Sequence, residues 1–343
     1  MRSSLLADAP AIREPQHAPV AHVTRGGVVE GVHYGSVVVL DGDGGVRSSI
    51  GDIEAACYPR SALKPLQAAA MVRAGLPLDG ALLSLAMGSH SGEEHHLAGT
   101  RMILELAGVS EGDLRNIPDL PYAPAVRDAW VRGGREPSRL AQNCSGKHAA
   151  MLYLCKLSGW PLETYLDPAH PLQRAIAEVV EELTGQRIAN VTVDGCGSPL
   201  FSVSLHGLAR AAASIATAAP DTAERRVADA LRAHPEMASG TGRDTAELMR
   251  AVPGLLAKDG FEGVQVAALP DGRAVAVKIA DGADRARIPV TAAALARAGV
   301  EPRLLAGFQG AQMTGGGRPV GGIRPVAAPG PPPPPPDPIR FTT

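Results

Sequence analysis

The chain has 343 residues, 45% of them hydrophobic and 20% charged, with a formal net charge of −2. That is enough polypeptide for a sizeable core, and the near-neutral charge without a basic block excludes the usual grips on nucleic acid or an anionic membrane surface. No stretch approaches the roughly 20 apolar residues of a membrane span. The opening "MRSSLLADAPAIREPQHAPVAHV" interrupts every apolar run with charge or proline, unlike a secretory signal. Four cysteines are too few for a disulfide framework, so a cytoplasmic protein with reduced thiols is expected.

Residues 1–18 read as a flexible leader. The run "TRGGVVEGVHYGSVVVLDGDGGV" then predicts two β-rich segments with glycine turns, closing as a hairpin at Asp-Gly. After Pro59, "RSALKPLQAAAMVRAG" predicts a helix that begins near Ser61, with Pro65 in its first turns and glycine at its end. The stretch from about residue 72 to 190 is mainly helical by its apolar spacing. "RIANVTVDGCGSP" predicts a strand running into a glycine-rich loop, and two further helical segments follow. "GVQVAALPDGRAVAVKIADG" reads as a hairpin over "PDGR", with "VTAAALARAG" a helix behind it. Segregated sheet and helix segments predict an α+β fold with an antiparallel sheet. Residues 19–325 form one domain in this reading, and residues 326–343, with six consecutive prolines, a disordered polyproline tail.

Six stretches carry candidate chemistry. Ser61 and Lys64 have the S-x-x-K spacing in which a lysine amine activates a serine, as in serine β-lactamases and penicillin-binding proteins. "AMGSHSGEEHH" puts Ser89, His90, Ser91 and Glu93 in a polar loop behind a buried apolar run; the same residues also read as a helix start. "QNCSGKHAAML" and "VDGCGSP" offer Cys144, Lys147 and Cys196, either a soft metal site or packed thiols. "ASGTGRDTAELM" presents Arg243, which either forks onto a carboxylate or lies on the surface of a capped helix. Lys278 stands in the apolar strand "AVAVKIADG", where it is buried with a perturbed amine or snorkels from an edge. No H-E-x-x-H or G-x-x-x-x-G-K-[ST] signature occurs.

Taken in order, "TRGGVVEGVHYGS", "YPRSALKPLQ", "GSHSGEEHH", "NCSGKHAAML", "VDGCGSP", "GTGRDTAELM", "VAVKIADG" and "RPVGGIRP" resemble the class 3 L-asparaginases, the asparaginase II family of rhizobial type. The resemblance implies a serine β-lactamase/glutaminase-like fold, hydrolysis of L-asparagine to L-aspartate and ammonia, and a homodimer. It implies two serine-lysine pairs, Ser61 with Lys64 and Ser89 with Lys278, with Ser91 the other choice in the second motif. It further implies a zinc site at Cys144, Lys147 and Cys196, and substrate-binding roles for Arg60, His90, Asp194, Gly197 and Arg243. Backbone N–H groups near Ser61 or Gly197 would serve an oxyanion. The rival readings are a penicillin-recognising serine esterase or peptidase using the same Ser61-Lys64 pair, and a non-catalytic scaffold that presents the proline tail.

Overall fold

The computed structural model describes residues 14–326. Its centre is an eight-stranded antiparallel sheet, which runs Gln312–Gly315, Arg318–Pro325, Ala18–Arg25, Val28–Leu40, Ala274–Ile279, Val264–Ala268 and Leu256–Gly260, with Val46–Ile50 paired beside Val28–Leu40. Val28–Leu40 is one continuous strand of 13 residues, not a hairpin. Its first part pairs with Ala18–Arg25, and Val37 to Leu40 pair with Val46–Ile50 across the predicted Asp-Gly turn. The "PDGR" hairpin forms as read, with Ala274 opposite Ala268.

Burial explains the strand sequences. Val37 to Leu40, Val264 to Ala268 and Ala274 to Val277 are buried without alternation because both faces of the sheet are covered. Leu205–Ala216 packs on Ala274–Ile279, Val264–Ala268 and Val28–Leu40, and Asp284–Arg297 lies against Ala274–Ile279 and Arg318–Pro325. The segment between the two sheet-forming parts is mainly helical. Lys64–Arg73 is buried from Lys64 through Val72, so "KPLQAAAMV" is a central helix with no solvent face.

Two contacts fix where the site forms. The helical turn Arg60–Leu63 packs on the edge strand Leu256–Gly260. The approach is so close that a Cβ on Gly260 would collide with the backbone carbonyl of Pro59. Likewise the helix Ser145–Ser158 presses its first turn on Leu85, where a Cβ on Gly146 would come within 2.6 Å of that side chain. The sheet edge, the Ser61 turn and the Cys144 turn thereby converge.

The proposed leader boundary lies slightly too far into the chain, since Ala18 already belongs to a strand and the His17 ring lies 3.0 Å from Ser36 Oγ. Residues 1–13 and the proline-rich run from 327 onward fall outside the described residues. Among the described residues no helix is long and apolar enough to cross a membrane.

Candidate active site

A cavity of about 340 Å³ opens where those elements meet, lined by Arg60, Ser61, Tyr122, Asn143, Cys144, Asp194, Gly195, Cys196 and Phe261 among others. Ser61 sits in the turn leading into Lys64–Arg73, where Ala62 N–H bonds to Pro59 O at 3.1 Å and Lys64 N–H to Ser61 O. Arg60, immediately before it, has φ +54°, a left-handed conformation that a non-glycine residue holds only when its surroundings require it. Here the requirement is visible: Arg60 Nε donates to Asp194 Oδ1 at 2.7 Å, and its guanidinium lies 5.8 Å from the centroid of the Phe261 ring.

Behind Ser61 two amines, a thiol and an alcohol are packed together. Lys64 Nζ donates to the carbonyl of Gly88, and lies 3.2 Å from both Ser89 Oγ and Cys144 Sγ. Lys258 Nζ reaches the same Ser89 Oγ at 3.4 Å and forms an ion pair with Asp259 at 2.6 Å. Among the described residues the Lys64 amine makes no hydrogen bond to Ser61. Helix spacing puts both on one face, but the long lysine arm extends past the serine to the Gly88-Ser89 loop. Such bonds commonly tighten only once substrate fills a site.

The second pair differs from the sequence expectation. Lys278 does not meet Ser89; its amine donates to the carbonyls of Glu262 and Ile279 at 2.5 and 2.7 Å, beside a separate cavity of about 60 Å³ that it shares with His17 and Cys57. The reason is strand order. Ala274–Ile279 lies two strands in from the edge strand Leu256–Gly260, about 10 Å away across the sheet. Lys258, on that edge strand, holds the position instead. Its signal was the triad Lys258-Asp259-Gly260, which resembles in sequence the K-T-G motif that accompanies S-x-x-K in serine β-lactamases. Ser91, the other serine considered, has a buried hydroxyl with no partner and packs on Gly240.

Electrostatics separates the two lysine neighbourhoods. Burial, with the Lys64 charge nearby, lowers the Lys258 pKa to about 8 against the opposing pull of Asp259. Burial also works against the Asp259 carboxylate, yet Lys258, Arg243 and Arg287 hold it far below the usual carboxylate range. Arg243 forks as expected, but onto the protein's own groups: Nη1 donates to Ser89 O at 2.6 Å and Nη2 to Asp259 Oδ2 at 3.1 Å. It does not line the cavity.

His90 does not line the cavity either. It is fully buried, its Nδ1 accepts from Gly92 N–H, and its Nε2 therefore donates to Ser145 Oγ at 2.9 Å. Burial and the neighbouring His96 drive its pKa well down, so it is a neutral strut under the Ser145–Ser158 helix. Gly197 has φ +89° as its tight turn requires, but its N–H is already bonded to Asp194 O at 2.8 Å and is not free for an oxyanion. Gly195 lines the cavity, but its N–H too is bonded, to Asp194 Oδ1 at 2.8 Å.

Cys144, Lys147 and Cys196 come together as a sulfur and nitrogen cluster. Lys147 Nζ lies 3.3 Å from Cys196 Sγ. The hydrogen bond from Cys144, with Lys147 and His148 nearby, outweighs burial and favours Cys196 as thiolate, and Cys144 keeps its proton. Two thiols with a lysine are a donor set that a soft or borderline metal accepts once the amine and thiol protons are displaced. Glu93, His95 and His96 also lie near one another, but both nitrogens of His96 are occupied, by Glu93 N–H and by Glu236 O at 2.9 Å. That group is a helix cap, not a metal centre.

An antiparallel sheet flanked by helices, with an S-x-x-K turn seated on a lysine-bearing edge strand, defines the serine β-lactamase-like class of fold. Within it the chain belongs to the L-asparaginase II family, whose sequence profile matches residues 21–325. Solved structures similar to it include Mglu in its native form, at 15% identity and a TM-score of 0.42 over 80% of this chain and 62% of that one. A β-lactamase from Mycobacterium bovis is similar at 15% identity and a TM-score of 0.41, over 80% of this chain and 95% of that one. EstCE1, a hydrolase with promiscuous acyltransferase activity, gives 12% and 0.35 over 76% and 88%. The chain spans less than two thirds of the length of Mglu. No curated protein is similar enough to match.

Proposed function

We propose that the protein hydrolyses L-asparagine to L-aspartate and ammonia by acyl transfer through Ser61. The observation that carries this reading is Ser89 Oγ lying within reach of both the Lys64 and Lys258 amines directly behind a cavity into which Ser61 opens. Family membership supplies the amide.

In this mechanism the Lys64 amine takes the proton of Ser61, and the alkoxide attacks the side-chain amide carbon. The tetrahedral intermediate collapses with cleavage of the C–N bond, and the departing nitrogen receives the proton and leaves as ammonia. Water then attacks the ester, a lysine amine takes its proton, and that proton returns to Ser61 as aspartate departs. The sum is one amide and one water consumed for one carboxylic acid and one ammonia. Ser89 is the relay that joins Lys64 to Lys258, whose lowered pKa suits it to hold and return a proton near neutral pH. The Ser61 N–H serves the oxyanion. The Arg60-Asp194 pair lies at the cavity wall, where it meets the charged end of an amino acid.

Cys144, Lys147 and Cys196 would hold zinc, which would supply a Lewis-acidic anchor for the polar end of the substrate. Homodimeric assembly and a cytoplasmic location complete the proposal on the strength of family resemblance, and sedimentation of the purified protein would test the first.

The test is ammonia release from L-asparagine and L-glutamine by the wild type and by Ser61→Ala. Release from asparagine that falls by a few orders of magnitude in the variant supports the reading; no release by folded, zinc-replete wild type overturns it. A second reading, a penicillin-recognising esterase, is favoured by the Lys258-Asp259-Gly260 triad facing S-x-x-K. Nitrocefin hydrolysis that is lost in Ser61→Ala, in place of ammonia release, would select it.

A further inference from the structure

We infer that Phe261 and Tyr122 form an aromatic rim that restricts the cavity to unsubstituted side-chain amides and turns away amides bearing a bulky group on nitrogen; this rests on the amidohydrolase reading above. Phe261 is 44% exposed, although it is one of only four phenylalanines in the chain. Ser61, Cys144 and Cys196, which line the same cavity, are buried. Phe261 therefore stands at the mouth and the serine at the floor.

The rim is a contact between two parts of the fold. Phe261 directly follows Lys258-Asp259-Gly260 on the edge strand, and Tyr122 lies on the segment that leads into the helix Pro124–Arg132. Their rings meet edge to face, 5.7 Å between centroids at 72°. Each ring also carries a site arginine: Arg60 lies 5.8 Å from the Phe261 centroid and Arg243 lies 4.7 Å from that of Tyr122. Arg60 is held by Asp194, and Arg243 by Ser89 O and Asp259. Arg60, Phe261 and Tyr122 thus line the mouth, with Arg60 fastened to Asp194 at one end and Tyr122 backed by Arg243 at the other.

Around Ser61 the floor is closed by Lys64, Cys144 and Cys196, so a substituent on the scissile nitrogen has to extend toward the mouth. An ammonia leaving group needs no room there. An aryl amine needs the space that the two rings occupy.

The experiment compares kcat/KM for L-asparagine and for L-aspartic acid β-p-nitroanilide in the wild type, Phe261→Ala, Tyr122→Leu and Phe261→Tyr. In parallel, a small and a bulky fluorophosphonate are used to label the active-site serine, with rates read by mass spectrometry. We expect Phe261→Ala and Tyr122→Leu each to raise the anilide-to-asparagine ratio by about tenfold or more, and the bulky-to-small labelling ratio with it, whereas Phe261→Tyr keeps both at the wild-type value. An unchanged ratio in both ring-deleting variants overturns the rim. Should folded wild type release no ammonia from asparagine, the amidohydrolase reading falls. The rim then stands or falls on the labelling ratio alone, which must rise in at least one ring-deleting variant.

Discussion

Lys64 and Ser89, separated by 25 positions, meet with the amine 3.2 Å from the hydroxyl oxygen, and the Lys258 amine approaches that same oxygen at 3.4 Å. One buried alcohol thus has two amines in reach, and the predictions below follow from which groups surround it.

The two strand lysines should separate cleanly by mutation. Lys258→Met is expected to lower kcat/KM for asparagine by about 10²- to 10⁴-fold, the usual contribution of a proton-transfer group. Lys278→Met removes an amine bonded to two backbone carbonyls away from the cavity, and turnover should stay within a few-fold of wild type. Steady-state kinetics of the two purified variants decides it; equal losses would remove Lys258 from the relay.

The pH profile carries a sign. Burial lowers the Lys258 pKa from its ordinary value to about 8, so the amine is protonated below that pH and becomes able to accept a proton above it. The rate should rise with pH through about 8 and then level off. Asp259 opposes the shift by favouring the charged amine, so Asp259→Asn should move the rising limb to lower pH. Movement toward higher pH would contradict the assignment.

Removing metal should act on binding more than on chemistry. Zinc held by Cys144, Lys147 and Cys196 anchors the substrate in the proposed mechanism, and the nucleophile is Ser61. Chelation should therefore raise KM by more than it lowers kcat, and Cys196→Ser should contain no stoichiometric zinc by elemental analysis. A collapse of kcat at unchanged KM would assign the metal a chemical role.

Gly260→Ala tests the close approach under the site. The added methyl would meet the Pro59 carbonyl, a backbone atom that cannot rotate away. The strand or the Ser61 turn must shift, at a cost of about 1–3 kcal/mol. Thermal unfolding should show a lowered Tm, and activity should fall further than the lost stability accounts for, since the same shift separates Lys258 from Ser89. Gly146→Ala, whose methyl would meet Leu85 Cγ at 2.6 Å and Leu85 O at 2.8 Å where that on Gly260 would come closer still to Pro59 O, should be milder.

Features that depend on near neighbours were legible in the chain. S-x-x-K at 61 to 64, the polar loop at 89, the Cys144 and Cys196 turns and the "PDGR" hairpin are each encoded within a few residues, where spacing and turn chemistry speak directly. The choice between Lys258 and Lys278 was not, because each is a lone lysine in an apolar strand of the same antiparallel segment. Only the order of strands shows that one lies at the edge beside Ser61 and the other two strands inward. His90 and Arg243 were found as polar residues in functional loops, but a sequence does not show which way a side chain turns. His90 points under a helix, and Arg243 points at Asp259, an acid next to the missed lysine. Tyr122 and Phe261 escaped notice because an isolated aromatic residue is ordinarily part of the core.

The sheet joins Ala18–Arg25 on one side to Val28–Leu40 and on the other to Arg318–Pro325, with Val23 opposite Ile323. During synthesis the first strand therefore acquires one neighbour almost at once and waits for the second until nearly the whole described chain has left the ribosome. Throughout that interval it offers an open row of amide and carbonyl groups to other chains. The pieces of the site, from Ser61 to Lys258, have all been made by then, so the growing protein passes through a stage in which its chemistry is assembled and its sheet is not yet sealed.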